Sequence, residues 1–127
     1  AIVRSMVADL NMSVEIVGYP TVRESDGLAL SSRNQRLSST HRLAASSIPT
    51  ALKAAREEFE LGERNSKVLI EMVDTIIRQE DSARIDYVEI ADARSLQSVV
   101  DINQECVLAV AVFFADVRLI DNIVLKP

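Results

Sequence analysis

The chain has 127 residues, enough for one domain that buries roughly 65% of the surface its unfolded form exposes. It is 48% apolar and 26% charged, as a globular protein is, and its net charge of −5 with 14 scattered cations argues against a nucleic-acid surface. No apolar stretch reaches the ~18 residues of a membrane span, and a single Cys106 fits a reducing, cytoplasmic setting.

The chain opens on Ala1-Ile2-Val3-Arg4, without Met and without a capping residue, as if in mid-helix. It is therefore expected to be a piece of a longer protein. Over residues 2–11, Ile2, Val3, Met6, Val7 and Leu10 fall on one helical face. Val14–Val17 reads as a short strand ended by Gly18 and Pro20. Residues 21–38 form a polar loop. Ser39 or Thr40 is the expected cap of a helix beginning near His41, and Ser47 that of the next, with Pro49 early in its first turn. Ala51, Leu52, Ala55 and Phe59 carry this helix to a stop at Gly62.

Asn65 or Ser66 opens a further helix with a stripe of Val68, Leu69, Met72, Val73, Ile76 and Ile77. From Ile85 the period becomes two. Residues 107–114 are apolar on both faces and read as a central strand. Ala115-Asp116 is a tight connection, and 117–125 is the last strand. Three strands with short links predict an antiparallel meander covered by the helices of 40–80, an α+β fold.

Few residues carry chemistry. His41 is the one histidine, so a histidine metal site or a Ser-His-Asp triad would rest on it alone; it reads as a surface residue. Cys106 reads as a packing thiol. Glu57, Glu58, Glu60 and Glu63 read as a solvated helix face, and Asp86, Glu89 and Asp92 as a wet sheet face. Asp121-Asn122 breaks an apolar strand and predicts a bulge or a structural hydrogen bond rather than a ligand contact.

The loop of residues 18–34 remains. It has neither a G-x-x-x-x-G-K-[ST] nor a G-x-G-x-x-G motif, so it is no Walker or Rossmann site. Ser31 and Ser32 supply small hydroxyls and approachable backbone N–H groups, and Arg33 a guanidinium suited to phosphate. Asp26-Gly27 lets the segment fold back. These features alone also fit an ordinary surface loop.

The runs Val3–Asn11, Val14–Gly18 and Pro20–Asn34 closely resemble the pantoate–β-alanine ligases, above all in Asp26-Gly27-Leu28-Ala29-Leu30-Ser31-Ser32-Arg33-Asn34. Asp86–Ile90 and Arg118–Ile123 resemble that family's C-terminal strands. The segment Val112–Val117 departs from the family's pattern, which usually has small residues and a glycine there.

The resemblance implies a two-domain enzyme whose N-terminal domain holds a Rossmann-like sheet and a HIGH-type motif, neither of them in this sequence. Residues 1–20 would be the last helix and strand of that domain, and 21–127 a C-terminal lid. The enzyme would join ATP and pantoate into pantoyl adenylate, and β-alanine would then displace AMP to give pantothenate; Mg²⁺ would accompany the nucleotide. Leu30, Ser31, Ser32 and Arg33 would be the counterpart of the KMSKS loop, gripping the ATP phosphates, and the backbone of Val22 would contact adenine. No catalytic residue and no metal ligand would lie in this chain, and it would be inactive alone. The strand at 14–17 would be orphaned, and residues 1–20 would pair with a second copy in a homodimer or become disordered. A stand-alone, non-catalytic binding or dimerisation module is the alternative reading.

Overall fold

The computed structural model describes residues 2–127. The elements are α1 (Ile2–Asp9), a 3-10 helix (Ser32–Arg36), α2 (Ser39–Ala44), α3 (Ser47–Glu60), α4 (Ser66–Ile77), β1 (Ala83–Asp92), β2 (Cys106–Phe114) and β3 (Val117–Leu125). The three strands form one antiparallel sheet in the order β1-β2-β3. The predicted α+β architecture is present, with α3 and α4 packed on one face of the sheet.

The core follows from helical and strand periodicity. Ile48, Leu52, Ala55 and Phe59 of α3 and Leu69, Val73 and Ile77 of α4 are buried at spacings of three and four. They meet Leu108, Val110, Val112 and Phe114 of β2 and Val117, Leu119, Ile123 and Leu125 of β3. Val68, expected in the α4 stripe, is exposed. Gly62 ends α3 at φ 114°, a conformation that favours a residue without Cβ.

Several boundaries differ from expectation. Val14–Val17 is not a strand. A strand needs a neighbour to accept its N–H groups, and none lies beside it among the described residues; the Val14 N–H turns back to the Met12 carbonyl. The α2 cap is Ser38, whose extended backbone lets its Oγ accept from the His41 N–H at 3.2 Å. Ser47 is not a cap but lies inside α3, because Ala45 and Ser46, between α2 and α3, stay in the αR region. Pro49 falls in the first turn of α3, where a missing N–H costs no intrahelical bond. Asn65 caps α4 by accepting from the N–H groups of Lys67 and Val68.

The link from β1 to β2 is not short: residues 93–105 separate them. It is tied to the fold by the Ser66 N–H to the Val100 carbonyl and the Ile102 N–H to the Arg64 carbonyl, with Ile102 buried. β1 carries a bulge between Ile85 and Tyr87. The extra residue puts Ile85, opposite Val112, on the same side as Val88 and Ile90, so strict alternation fails there.

Candidate functional site

The segment from Val22 to Leu30 folds back on itself. The Leu30 N–H donates to the Val22 carbonyl at 2.9 Å and the Glu24 N–H to the Leu28 carbonyl at 2.8 Å. Gly27 sits at the tip with φ 88°, and a Cβ there would come within 3.3 Å of Pro49. Leu28 is buried in the core and pins the turn from below.

Three polar side chains hold the turn from the sides. Arg23 forms a two-pronged pair with Asp121 of β3 and also donates to the Gly27 carbonyl at 2.9 Å. Arg42 of α2 reaches Glu24 at 2.7 Å and Asp26 at 2.6 Å. The buried Asn34 donates through Nδ2 to Glu24 at 2.5 Å and to the Ala29 carbonyl at 3.0 Å. Hydrogen bonds from Arg42 and then Asn34 hold the Glu24 carboxyl below its usual pKa, and Arg42 does the same for Asp26. The charges of Glu24 and Asp26 are thereby spent on structure.

The turn delivers the chain into the 3-10 helix with Ser31 as cap. Ser31 is extended at φ −151°, and its Oγ accepts from the Arg33 N–H at 3.2 Å. The N–H groups of Ser31 and Ser32 have no acceptor among the described residues, and the Arg33 guanidinium enters no ion pair there. Arg36 ties the far end of this helix to Asp116, in the β2–β3 turn, at 2.8 Å.

Leu30, Ser31 and Arg33 line one cavity of about 210 Å³, together with Asn34, Arg118 and Ile120. Ser32 and Val22 do not line it. Val22 has an exposed side chain, and its carbonyl already accepts from Leu30. A larger cavity of about 600 Å³ lies between α3 and β3, lined by Tyr19, Arg23, Arg56 and Lys126, and contains none of residues 30–33.

Free N–H groups beside an unpaired guanidinium favour an anion. They suit Mg²⁺ poorly, since a hard cation takes oxygen ligands and the Ser31 hydroxyl is engaged as a cap. The site supplies charge and donors but no general base: His41 is not among its lining residues.

A family model described as pantoate-beta-alanine ligase matches residues 1–124. This chain belongs to the pantoate–β-alanine ligase family. A pantothenate synthetase of Syntrophus aciditrophicus (strain SB) is 47% identical over 120 residues, covering 94% of this chain and 42% of that protein. One from Syntrophobacter fumaroxidans is 44% identical over 98% of this chain and 44% of its own length. The chain thus spans under half the length of these relatives. Among solved structures, the pantothenate synthetase of Thermus thermophilus superposes with a TM-score of 0.90 at 40% identity, over 99% of this chain and 45% of that one. A Francisella tularensis pantoate-beta-alanine ligase, complexed with beta-gamma ATP and beta-alanine, aligns with a TM-score of 0.54 at 27% identity, over 96% of this chain and 38% of that one.

The remaining polar candidates take structural places. Asp121 and Asn122 cause no bulge, since the β2–β3 register runs unbroken, and Asp121 makes the predicted structural hydrogen bonds. Asp92 is not on a wet face: it is buried, and its Oδ1 accepts from the N–H groups of Ser95 at 2.6 Å and Arg94 at 3.1 Å. Those bonds lower its pKa, Ser95 contributing most. Cys106 is fully buried, and desolvation pushes its thiol pKa up, away from nucleophilic character.

Proposed function

We propose that this chain is the C-terminal part of a cytoplasmic ligase that joins pantoate to β-alanine at the expense of ATP. In the whole protein, the pantoate carboxylate attacks the α-phosphorus of ATP and pyrophosphate leaves, forming pantoyl adenylate. The β-alanine amine then attacks the acyl carbon, and AMP departs to leave pantothenate. The role assigned to residues 30–33 is to hold the departing phosphates. Preformed donors aimed at charge that develops on the leaving group need no rearrangement during the reaction. Mg²⁺ enters with the nucleotide rather than on this chain, and the Val22 backbone N–H is the group left to meet adenine.

The observation that carries the proposal is the pair of free N–H groups at Ser31 and Ser32 beside the unpaired Arg33. Residues 1–20 are assigned to the N-terminal domain of the whole enzyme and 21–127 to its lid. In support, α1 buries none of its side chains, and Ile2, Val3, Met6 and Leu10 are exposed. With the acid–base and pantoate-binding groups outside this sequence, the chain alone is inactive. Incubating it with ATP, Mg²⁺, pantoate and β-alanine should yield no pantothenate; turnover would overturn the assignment of the acid–base chemistry to residues outside this sequence.

A further inference from the structure

We propose that Asn34 is the positioning residue for the phosphate-holding donors of Ser31–Arg33, an inference that rests on the ATP-gripping role above. Between Leu28 and Leu37 it is the one buried residue; Leu30, Ser32 and Arg33 are exposed and Ser31 is half-buried. The span that carries the free N–H groups therefore has no apolar anchor of its own. What anchors it is an amide. The Asn34 Nδ2 donates to the Ala29 carbonyl at 3.0 Å, and the Asn34 backbone N–H donates to the Ser31 carbonyl at 3.0 Å. One residue thus closes the span 30–33 through both its main chain and its side chain.

The amide is also tied to the body of the domain. Nδ2 donates a second bond to Glu24 Oε1 at 2.5 Å, and Glu24 Oε2 accepts from Arg42 of α2 at 2.7 Å. Arg42 in turn holds Asp26 at 2.6 Å. A chain of bonds therefore runs from α2 through Glu24 and Asn34 to Ala29, the residue before the exposed span. Two acceptors converge on this side chain, so the group between them must be a double donor, which a primary amide is and a carboxylate or a hydroxyl is not. Oδ1 meanwhile is buried with no donor among the described residues, and a bare buried acceptor costs stability. The worth of the side chain lies in its two donors. Donors aimed at a developing charge act best when they need no rearrangement, and a small displacement forfeits much of the effect.

The test separates the two half-reactions of the full-length ligase carrying this chain, with Asn34→Ala, Asn34→Leu and Arg33→Ala measured beside the unaltered enzyme. Pyrophosphate leaves only in the first half-reaction, from ATP and pantoate. Both Asn34 variants should slow that release by roughly 10- to 100-fold. Supplied with pantoyl adenylate and β-alanine, they should form pantothenate at the unaltered rate, since no pyrophosphate departs in that step. Asn34→Leu keeps the shape and burial of the side chain and loses both donors, so it carries the comparison if the cavity left by Asn34→Ala unfolds the domain. Equal loss in the two half-reactions would overturn the inference, because Asn34 would then matter to the fold alone. Unchanged release from the Asn34 variants, with Arg33→Ala slow, would overturn it while sparing the ATP-gripping role. Unchanged release from Arg33→Ala as well would overturn both.

Discussion

Arg23 grips Asp121 through both carboxylate oxygens, Nη1 to Oδ2 at 2.5 Å and Nη2 to Oδ1 at 3.0 Å, across 98 positions of sequence. The Asp121 side chain is 2% exposed and that of Arg23 32%. The pair binds the turn that presents residues 30–33 to β3. Truncating one partner leaves the other charge poorly compensated. Asp121→Ala should cost about 2–3 kcal/mol, a discount from the full buried-pair value because Arg23 reaches solvent. Urea unfolding followed by circular dichroism measures it, and a cost under about 0.5 kcal/mol would show the pair to be dispensable.

That relationship marks the boundary of what was legible. The β3 alternation of buried and exposed residues is plain in Val117–Leu125, and so is the polar break at Asp121. Its partner is not, because local periodicity carries no information about a loop so far away. Alternation also ran straight through the bulge at Asp86, since a bulge is set by the pairing strand and not by side-chain polarity. Val14–Val17 has strand-like residues, but β-propensity describes a fit to a sheet, and no sheet adjoins it among the described residues. Residues 31–33 had the chemistry for phosphate in sequence alone; only the family resemblance gave that chemistry a purpose.

Ala115 occupies the left-handed region at φ 53° in the β2–β3 turn. An alanine Cβ is crowded there, where glycine is not. Ala115→Gly should stabilise the fold by about 0.5–1 kcal/mol, seen as a higher Tm. A lower Tm would mean that the alanine is not strained.

Acid should open the turn at residues 22–30. The Glu24 and Asp26 carboxyls lie below their usual values of 4.5 and 3.8, in both cases chiefly through hydrogen bonds from Arg42. Groups depressed in the folded state contribute stability above their unfolded pKa, and that contribution is lost as pH falls through the folded value. NMR titration of the two carboxyl carbons should give midpoints under 4.5 and 3.8, and Arg42→Met should raise both. Midpoints unmoved by Arg42→Met would contradict the assigned network.

Removing residues 1–20 should leave the core's stability unchanged within about 0.5 kcal/mol, because α1 buries no side chain and contributes nothing to the hydrophobic cluster. Urea unfolding of residues 21–127 checks this. A loss above about 2 kcal/mol would place α1 within the folding unit.

The central claim is that Arg33 and its neighbouring N–H groups stabilise the departing phosphates. Its most direct measurement is the rate of pyrophosphate release by the full-length ligase carrying this chain, with Arg33 replaced by alanine. Loss of one such donor should slow release by roughly 10²–10³-fold, with an unchanged Tm. An unchanged release rate would contradict the claim.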